Sequence, residues 1–291
     1  MPTVIPAQLI GSSVAARLNW VVDVLHVADQ ADYIGEDVSQ LTHALQCASL
    51  ATKQDDPELI IASLLHDLGH LVPTDEPSME QLGTRHHEAV GADILMSLGF
   101  SHRVAQLVEG HVDAKRYLAS TRNGYLRQLS GASKRTLDLQ GGPMDSAEQE
   151  DFEARHDFRA LVRLRGWDEG GKAIGRNHLP LEHFVPILRD HLASQDASAV
   201  TKALDRPLTA DQLGTWRSSQ VLALPGVLQG DALRVLESWT DDLASRPERA
   251  GRWMKYFERT PSDDRQLCRV EDFIPYHAGF DALLRGPELL A

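Results

Sequence analysis

Cysteine is nearly absent: Cys47 and Cys268 are the only two in 291 residues, and they lie far apart. That excludes a disulfide framework and a zinc-thiolate motif, and it suits two thiols in a reducing compartment, so a cytoplasmic location is expected. No run of about 18 apolar residues occurs, and the stretch from Met1 to Gly11 has no cationic start, so neither membrane insertion nor secretion is expected. Basic residues are in the minority, 29 Lys and Arg against 42 Asp and Glu, for a net charge of -13. Such a chain has no basic footprint for nucleic acid, and an anionic substrate would need a local cluster of cations. A hydrophobic share of 42% with 24% charged residues excludes disorder, and the length allows one large domain or two modest ones. Histidine is what the chain has in quantity: eight of its 13 histidines fall between His26 and His111.

Helical periodicity dominates the first two thirds. Val14, Leu18, Val21, Val22 and Leu25 recur at three- and four-residue steps, as do Val38, Leu41, Leu45, Ala48 and Ala51. Pro57 to Leu71 begins with a proline suited to a first helical turn, runs through Leu-Ile-Ile-Ala-Ser-Leu-Leu-His-Asp-Leu, and meets Gly69; it reads as a buried helix. Further helices are expected over 85–98, 102–112, 147–155, 158–172 and 181–193. The texture changes near Ser194, and Gln220 to Leu228 reads as a strand broken by Pro-Gly, with a helix over 231–245. The expected organisation is mainly α, a helical bundle over residues 1–199 followed by a small α/β or mixed extension over 200–291.

His66-Asp67 ends a very apolar helix, where two ionisable groups enter a core only at a cost. Metal ligation accounts for them. The other candidate ligands are His43, His86 or His87, His111, and Asp168 in Arg-Gly-Trp-Asp-Glu. Imidazoles and carboxylates without thiolate suit iron, manganese or zinc-like ions outside a closed structural zinc site. Four histidines and two aspartates exceed the needs of one open catalytic ion, and a carboxylate such as Asp67 can bridge two, so a dinuclear site is expected. Adjacent helical residues point about 100° apart, so only one of His86 and His87 can face the stripe of Gly91, Ala92, Ile94 and Leu95; His87, four before Gly91, is the choice.

Each ligand has a polar companion about one helical turn away: Gln46 after His43, His70 after His66, Lys115 after His111, Arg165 before Asp168. Two cations, an amide and an imidazole beside metals suit a phosphate or phosphonate dianion, with Arg165 as a planar fork and Lys115 as a point charge.

The order His43, His66-Asp67, His87, His111, Asp168 resembles the HD-domain superfamily in its dinuclear branch. Tyr33-Ile34-Gly35-Glu36 with Val-Ser-Gln-Leu-Thr-His43-Ala-Leu-Gln46, the segment from Ser130 to Met144, and the run from Arg165 to Lys172 are similar to the mixed-valent diiron oxygenases that cleave organophosphonates, relatives of myo-inositol oxygenase. The resemblance covers roughly residues 13 to 195. It implies an HD-domain helical bundle holding two irons, Fe(II) and Fe(III), with O2 as co-substrate. The implied substrate is a 1-hydroxy-2-(amino or trimethylammonio)ethylphosphonate, cleaved at its C–P bond to a carboxylic acid (glycine or glycine betaine) and phosphate. The substrate supplies all four electrons, so no external reductant is implied. Carried over to this chain, His43, His66, Asp67 and Asp168 hold one iron, and Asp67, His87 and His111 the other. Tyr33 occupies a metal position until substrate arrives, and Glu36 meets the amine end. His70, Lys115, Ser133 and Arg165 bind the phosphonate oxygens, with Gln46 beside them.

The segment Leu208 to Leu213, Val221 to Leu228 and Arg269 to Phe273 resembles the opening of phytanoyl-CoA-dioxygenase-type 2-oxoglutarate oxygenases. Such enzymes build their iron site from His-x-Asp and a distal His. No His-x-Asp follows residue 200, and His277 alone cannot replace it, so the extension is expected to be a truncated module without iron chemistry. The resemblance makes a 2-oxoglutarate-dependent hydroxylase a candidate partner that supplies substrate. The competing reading is an HD-type phosphohydrolase acting on a phosphomonoester or nucleotide; it needs no O2 and gives Tyr33 no role. A non-catalytic signalling HD module is a third, and retention of all six ligands speaks against it.

Overall fold

The computed structural model describes residues 5–30, 38–74, 76–77, 79, 83–204, 208–248, 253–260 and 265–285. The chain divides into two compact units, one over Met1–Ile10 and Ala15–His191 and one over Gly11–Val14 and Leu192–Ala291. The division falls inside the helix Leu181–Leu204, which runs past the end expected at residue 193.

The first unit is built of helices joined by loops, and several of the helices start where a polar side chain accepts one of the free N–H groups. Ser39 caps Gln40–Ala51, Asp56 caps Pro57–Leu65 with proline in the first turn, Ser101 caps His102–Glu109, and Ser130 caps Gly131–Leu139. His87–Ser97, His111–Thr121 and Phe158–Gly170 complete the set that matters for function. Gln40–Ala51 packs on Pro57–Leu65 and on Phe158–Gly170, which also packs on His111–Thr121. The core between them holds Leu45, Ala48, Leu59, Ile61, Leu64, Leu65, Ile94, Leu95, Val108 and Leu164, all buried.

Two runs that read as continuous helices are broken. Pro57–Leu65 stops, His66 and Asp67 form the break, and a single turn Leu68–Leu71 follows. Gly69 explains how that turn fits: a Cβ there would overlap the backbone carbonyl of His87, so the absent side chain lets it lie against the start of His87–Ser97. The second break is at Gly110, between His102–Glu109 and His111–Thr121. The break hands His111 to a new helix.

In the second unit, Leu192–Leu204 of the long helix, Gly230–Ser245 and Ala278–Leu284 bury Ala197, Val200, Val235, Trp239 and Leu283 together. Met254–Arg259 pairs antiparallel with Arg265–Glu271, with a register irregularity between Tyr256 and Phe257. Gln220 to Leu228 is no strand. Val221 is 70% exposed, no sheet partner faces the segment among the described residues, and Ala210–Ser219 before it buries no residue. Among the described residues no helix is long and apolar enough to cross a membrane.

Candidate metal centre

Four helices and the break in the Pro57–Leu71 run converge on one buried point. His43, His66, His87, His111 and Asp168 are each at most 4% exposed. His43 Nε2 lies 3.1 Å from His66 Nε2. The pair faces Asp67 Oδ2 at 3.6 and 3.3 Å and Asp168 Oδ1 at 3.5 and 3.9 Å. His87 Nε2 lies 3.2 Å from His111 Nε2, and this second pair faces the other oxygen of Asp67, Oδ1, at 3.5 and 3.8 Å. Asp67 thus stands between two pairs of imidazoles, one oxygen toward each.

The ring tautomers follow from the opposite nitrogens. Nδ1 of His43 faces Gly171 O at 3.1 Å, Nδ1 of His66 faces Ser63 O at 3.0 Å, and Nδ1 of His111 faces Val108 O at 2.6 Å. A carbonyl only accepts, so each of these Nδ1 atoms carries the proton and each Nε2 presents a lone pair. Two lone pairs 3.1 Å apart beside buried carboxylate oxygens repel one another unless a cation lies between them. Asp67 Oδ2 and Asp168 Oδ1 are buried without a hydrogen-bond donor among the described residues. The donor set of imidazole nitrogen and carboxylate oxygen therefore fits metal ions, and suits iron or manganese.

The electrostatics agree. Burial, then the neighbouring His66, lowers His43 to about 4, and the same two causes lower His111 to about 4. Burial with His70 and His111 nearby puts His87 well below the usual imidazole value. These rings are neutral at pH 7, as ligands must be. Burial opposes charge on Asp67, yet the surrounding imidazoles, His66 foremost, hold its carboxyl well below the usual range. His66 is raised: burial opposes the proton, but Asp67 and Asp168 outweigh it. The two carboxylates favour positive charge at that spot, which a metal ion supplies in place of the proton.

Cys47 Sγ lies 3.7 Å from His43 Nε2, close enough to complete a His43, Cys47, His66 group. Burial, then Asp168 and Asp67, pushes its thiol up, and its S–H donates to Trp167 O at 3.5 Å. It stays a thiol and a poor ligand.

A pocket of about 600 Å³, measured to its open mouth, lies beside the cluster and is lined by Asp67, His70, His87, His111, Lys115, Ser133, Arg165 and Asp168. His70 stacks on His87 with ring centres 3.8 Å apart, and its Nδ1 accepts the Thr84 N–H at 2.9 Å. Lys115 Nζ donates to Thr136 Oγ1 and Gln140 Oε1, both at 2.7 Å. Burial lowers its amine to about 6, with Arg165 adding to the effect. Arg165 reaches Asp168 and Glu169 with its two terminal nitrogens, and its Nε donates to Tyr125 Oη at 2.9 Å. Lys172 Nζ donates to Ser133 Oγ at 3.0 Å and lies 3.6 Å from Asp168 Oδ1.

The structure therefore brings His43, His66, Asp67, His87, His111 and Asp168 together and sets His70, Lys115, Ser133 and Arg165 along the same pocket. Gln46 is placed differently: its amide donates to Ala173 O at 3.0 Å, and it does not line the pocket. Tyr33 and Glu36 lie outside the described residues. His86 is left-handed, with φ of 55°, and exposed. Sequence reasoning missed Tyr125, Thr136, Gln140, Glu169 and Lys172. Lys172 sits four after Asp168, a spacing that could have found it; Tyr125 stands in no periodic pattern and gave no signal.

A helical fold that closes a buried His-Asp pair among three further histidines and a late aspartate defines a metal-binding HD domain. The HD domain family model matches residues 24–142. The chain is 38% identical over 160 residues to a 1-hydroxy-2-(trimethylamino)ethylphosphonate dioxygenase (glycine-betaine-forming) of Leisingera caerulea, covering 54% of this chain and 81% of that one. It is 41% identical over 155 residues to a hydroxymethylphosphonate dioxygenase of Gimesia maris, covering 52% and 77%. A 2-aminoethylphosphonate dioxygenase of an uncultured bacterium shares 41% identity over 80 residues, 27% of this chain and 30% of that one. The chain belongs to the HD-domain phosphonate oxygenase family. It is an enzyme, a metal-dependent dioxygenase.

Proposed function

We propose that this protein uses two iron ions and O2 to cleave the C–P bond of a 1-hydroxy-2-(amino or trimethylammonio)ethylphosphonate, giving glycine or glycine betaine and phosphate. The observation that carries the reading is the placement of Asp67, one carboxylate oxygen toward the His43 and His66 pair and the other toward His87 and His111. In this reading His43, His66, Asp67 and Asp168 hold one iron, and Asp67, His87 and His111 the other. When bound, the metal pair binds O2 and polarises the substrate hydroxyl.

The rest is the work of this chain's side chains. Lys115, Ser133, Arg165 and His70 line one pocket and offer an amine, a hydroxyl, a guanidinium and an imidazole to a phosphonate dianion. Lys115 is held between Thr136 and Gln140, and Arg165 between Tyr125, Asp168 and Glu169, so both are oriented before substrate enters. From the resemblance, Tyr33 guards a metal position and Glu36 meets the amine end. The reaction balances without another reagent: the C–H and C–P bonds of C1 break, O2 is reduced by four electrons, and its oxygens pass into the carboxylate and the phosphate.

Residues 1–199 are the oxygenase module in this reading, and residues 200–291 a truncated module related to 2-oxoglutarate oxygenases. His277 supports a purely structural extension, since it is buried, its Nδ1 accepts the Phe280 N–H at 3.1 Å and its Nε2 faces Asp242 at 3.4 Å. A 2-oxoglutarate-dependent hydroxylase that installs the C1 hydroxyl is the partner reaction this substrate calls for, and the reduced thiols fit a cytoplasmic setting.

The test is turnover of the iron-loaded protein with and without O2, on 1-hydroxy-2-aminoethylphosphonate and its trimethylammonio analogue, following phosphate and O2 together. Phosphate formed one for one with O2 consumed is the expected result. Release of phosphate from phosphomonoesters without O2, and none from either phosphonate, would establish the phosphohydrolase instead.

A further inference from the structure

The side-chain oxygens that line the pocket are committed to partners, with one exception. Thr136 Oγ1 and Gln140 Oε1 accept from Lys115 Nζ, and Ser133 Oγ accepts from Lys172 Nζ. Asp67 and Asp168 turn their oxygens to the imidazoles and to Arg165. Gln40 lines the same pocket, and its Oε1 is buried with no hydrogen-bond donor among the described residues. Gln40 opens the helix Gln40–Ala51 and stands three residues before His43, so the two share one helix face.

An acceptor shut away from water and left without a donor costs free energy, which a ligand that brings an N–H or O–H recovers. The substrate proposed above has few such groups. Its phosphonate, as a dianion, has no hydrogen to donate and would meet Gln40 oxygen to oxygen. Its C1 hydroxyl goes to the metal pair in that reading. What is left is the nitrogen on the second carbon. A primary ammonium presents three N–H donors, whereas a trimethylammonium presents methyl groups and no donor. Lys115, Arg165 and Lys172 draw the phosphonate and repel the ammonium, so the two ends of the zwitterion are sorted between the cations and the amide oxygen. We propose that Gln40 is a specificity-determining residue whose Oε1 accepts an N–H from the substrate's ammonium, so that a phosphonate bearing an N–H on its second carbon is selected over the trimethylated one. The inference rests on the reading above and narrows its substrate class.

The experiment is calorimetric binding, without O2, of 1-hydroxy-2-aminoethylphosphonate and its N-methyl, N,N-dimethyl and N,N,N-trimethyl derivatives to iron-loaded wild type, Gln40→Met and Gln40→Glu. Turnover of the same series in air, following phosphate and O2, accompanies it. One N–H suffices for one acceptor, so in wild type the first three should bind alike. The trimethyl derivative should bind roughly 10–100-fold more weakly, the loss of one hydrogen bond from a charged donor. A pocket that only lacks room would instead weaken binding at every added methyl. Gln40→Met keeps the length of the side chain without the acceptor, so it should bind the first three more weakly and show no step at the last methyl. Gln40→Glu keeps an acceptor and should keep the step. Equal binding of all four by wild type would overturn the proposal. So would a decline spread over every methyl, or a step that persists in Gln40→Met. In each of these cases phosphate released one for one with O2 from any member would leave the reading above standing. Binding of none of the four, with no O2-linked phosphate, would overturn that reading and this inference with it.

Discussion

Tyr125 holds Arg165 by its Nε: the phenol oxygen accepts that N–H at 2.9 Å, while the terminal nitrogens reach Asp168 and Glu169. All three donor nitrogens of the guanidinium are thereby directed, and Tyr125 is itself buried, at 3% exposure. A side chain held in one orientation loses little entropy when it meets an anion. Tyr125→Phe should lower kcat/KM by roughly 5–30-fold, the equivalent of about 1–2 kcal/mol for one hydrogen bond to a charged group. Metal content should stay at the wild-type level, and unchanged kcat/KM would remove Tyr125 from the orientation of Arg165.

The turn Leu68–Leu71 gives a second prediction. Its first residue follows Asp67, and Gly69 leaves no room for a side chain against the His87 carbonyl. Because the obstacle is backbone on a helix that itself carries a ligand, neither side can yield cheaply. Gly69→Ala should destabilise the protein by ~1–3 kcal/mol, as overpacking does. It should also weaken metal binding, since the displacement falls between Asp67 and His87. Urea unfolding with metal analysis checks both; wild-type stability and stoichiometry would show that the contact is soft.

Much of this centre was legible in the sequence because metal chemistry restricts the residue types. An imidazole and a carboxylate at the end of Leu-Ile-Ile-Ala-Ser-Leu-Leu have few other reasons to be there, and Pro57 marks the start of that helix. Helical spacing also separates His87 from exposed His86. What was not legible depends on segments far apart in the chain. Gln46 shares a helix with His43, yet its amide is claimed by Ala173 O, 127 residues away, a carbonyl that no local pattern announces. The apolar run at Val221 to Leu228 looked like a strand because alternation specifies a face; a strand also needs a partner edge, and none faces it among the described residues.

In the proposed reading, Lys115 links substrate binding to protons. Burial, then Arg165, lowers its amine from the usual value to about 6, so at pH 8 the folded site holds it neutral while the unfolded chain holds it charged. The sign follows: between about 6 and the normal lysine value the unfolded state binds the extra proton, so Lys115 costs stability there, and the cost fades as pH rises toward that normal value. A dianion in the pocket reverses the balance and draws a proton onto Nζ. Binding of the phosphonate at pH 8 should therefore take up about one proton per site. Calorimetry in buffers of different ionisation enthalpy reads that number directly. Lys115→Met should bind without the uptake, and an uptake equal to wild type would assign the proton to another group.

Asp67 and Asp168 carry opposite expectations although both are buried carboxylates at one centre. Asp67 turns an oxygen to each imidazole pair, whereas Asp168 turns Oδ1 to the His43 and His66 pair and Oδ2 to Arg165. In the two-metal reading, removing Asp67 takes a ligand from both positions and leaves two pairs of lone-pair nitrogens with no bridging charge. Asp67→Ala should lose both metal equivalents. Asp168→Ala should retain the ion at the Asp67, His87 and His111 position and lose only the other. The same substitution leaves Arg165 without one of its partners, so phosphate binding to the metal-free protein should change in Asp168→Ala and not in Asp67→Ala. Metal analysis of the purified variants, with inorganic phosphate as the probe for the second effect, decides the matter. Two equivalents of iron retained in Asp67→Ala would contradict the bridging assignment, whatever activity the variant shows.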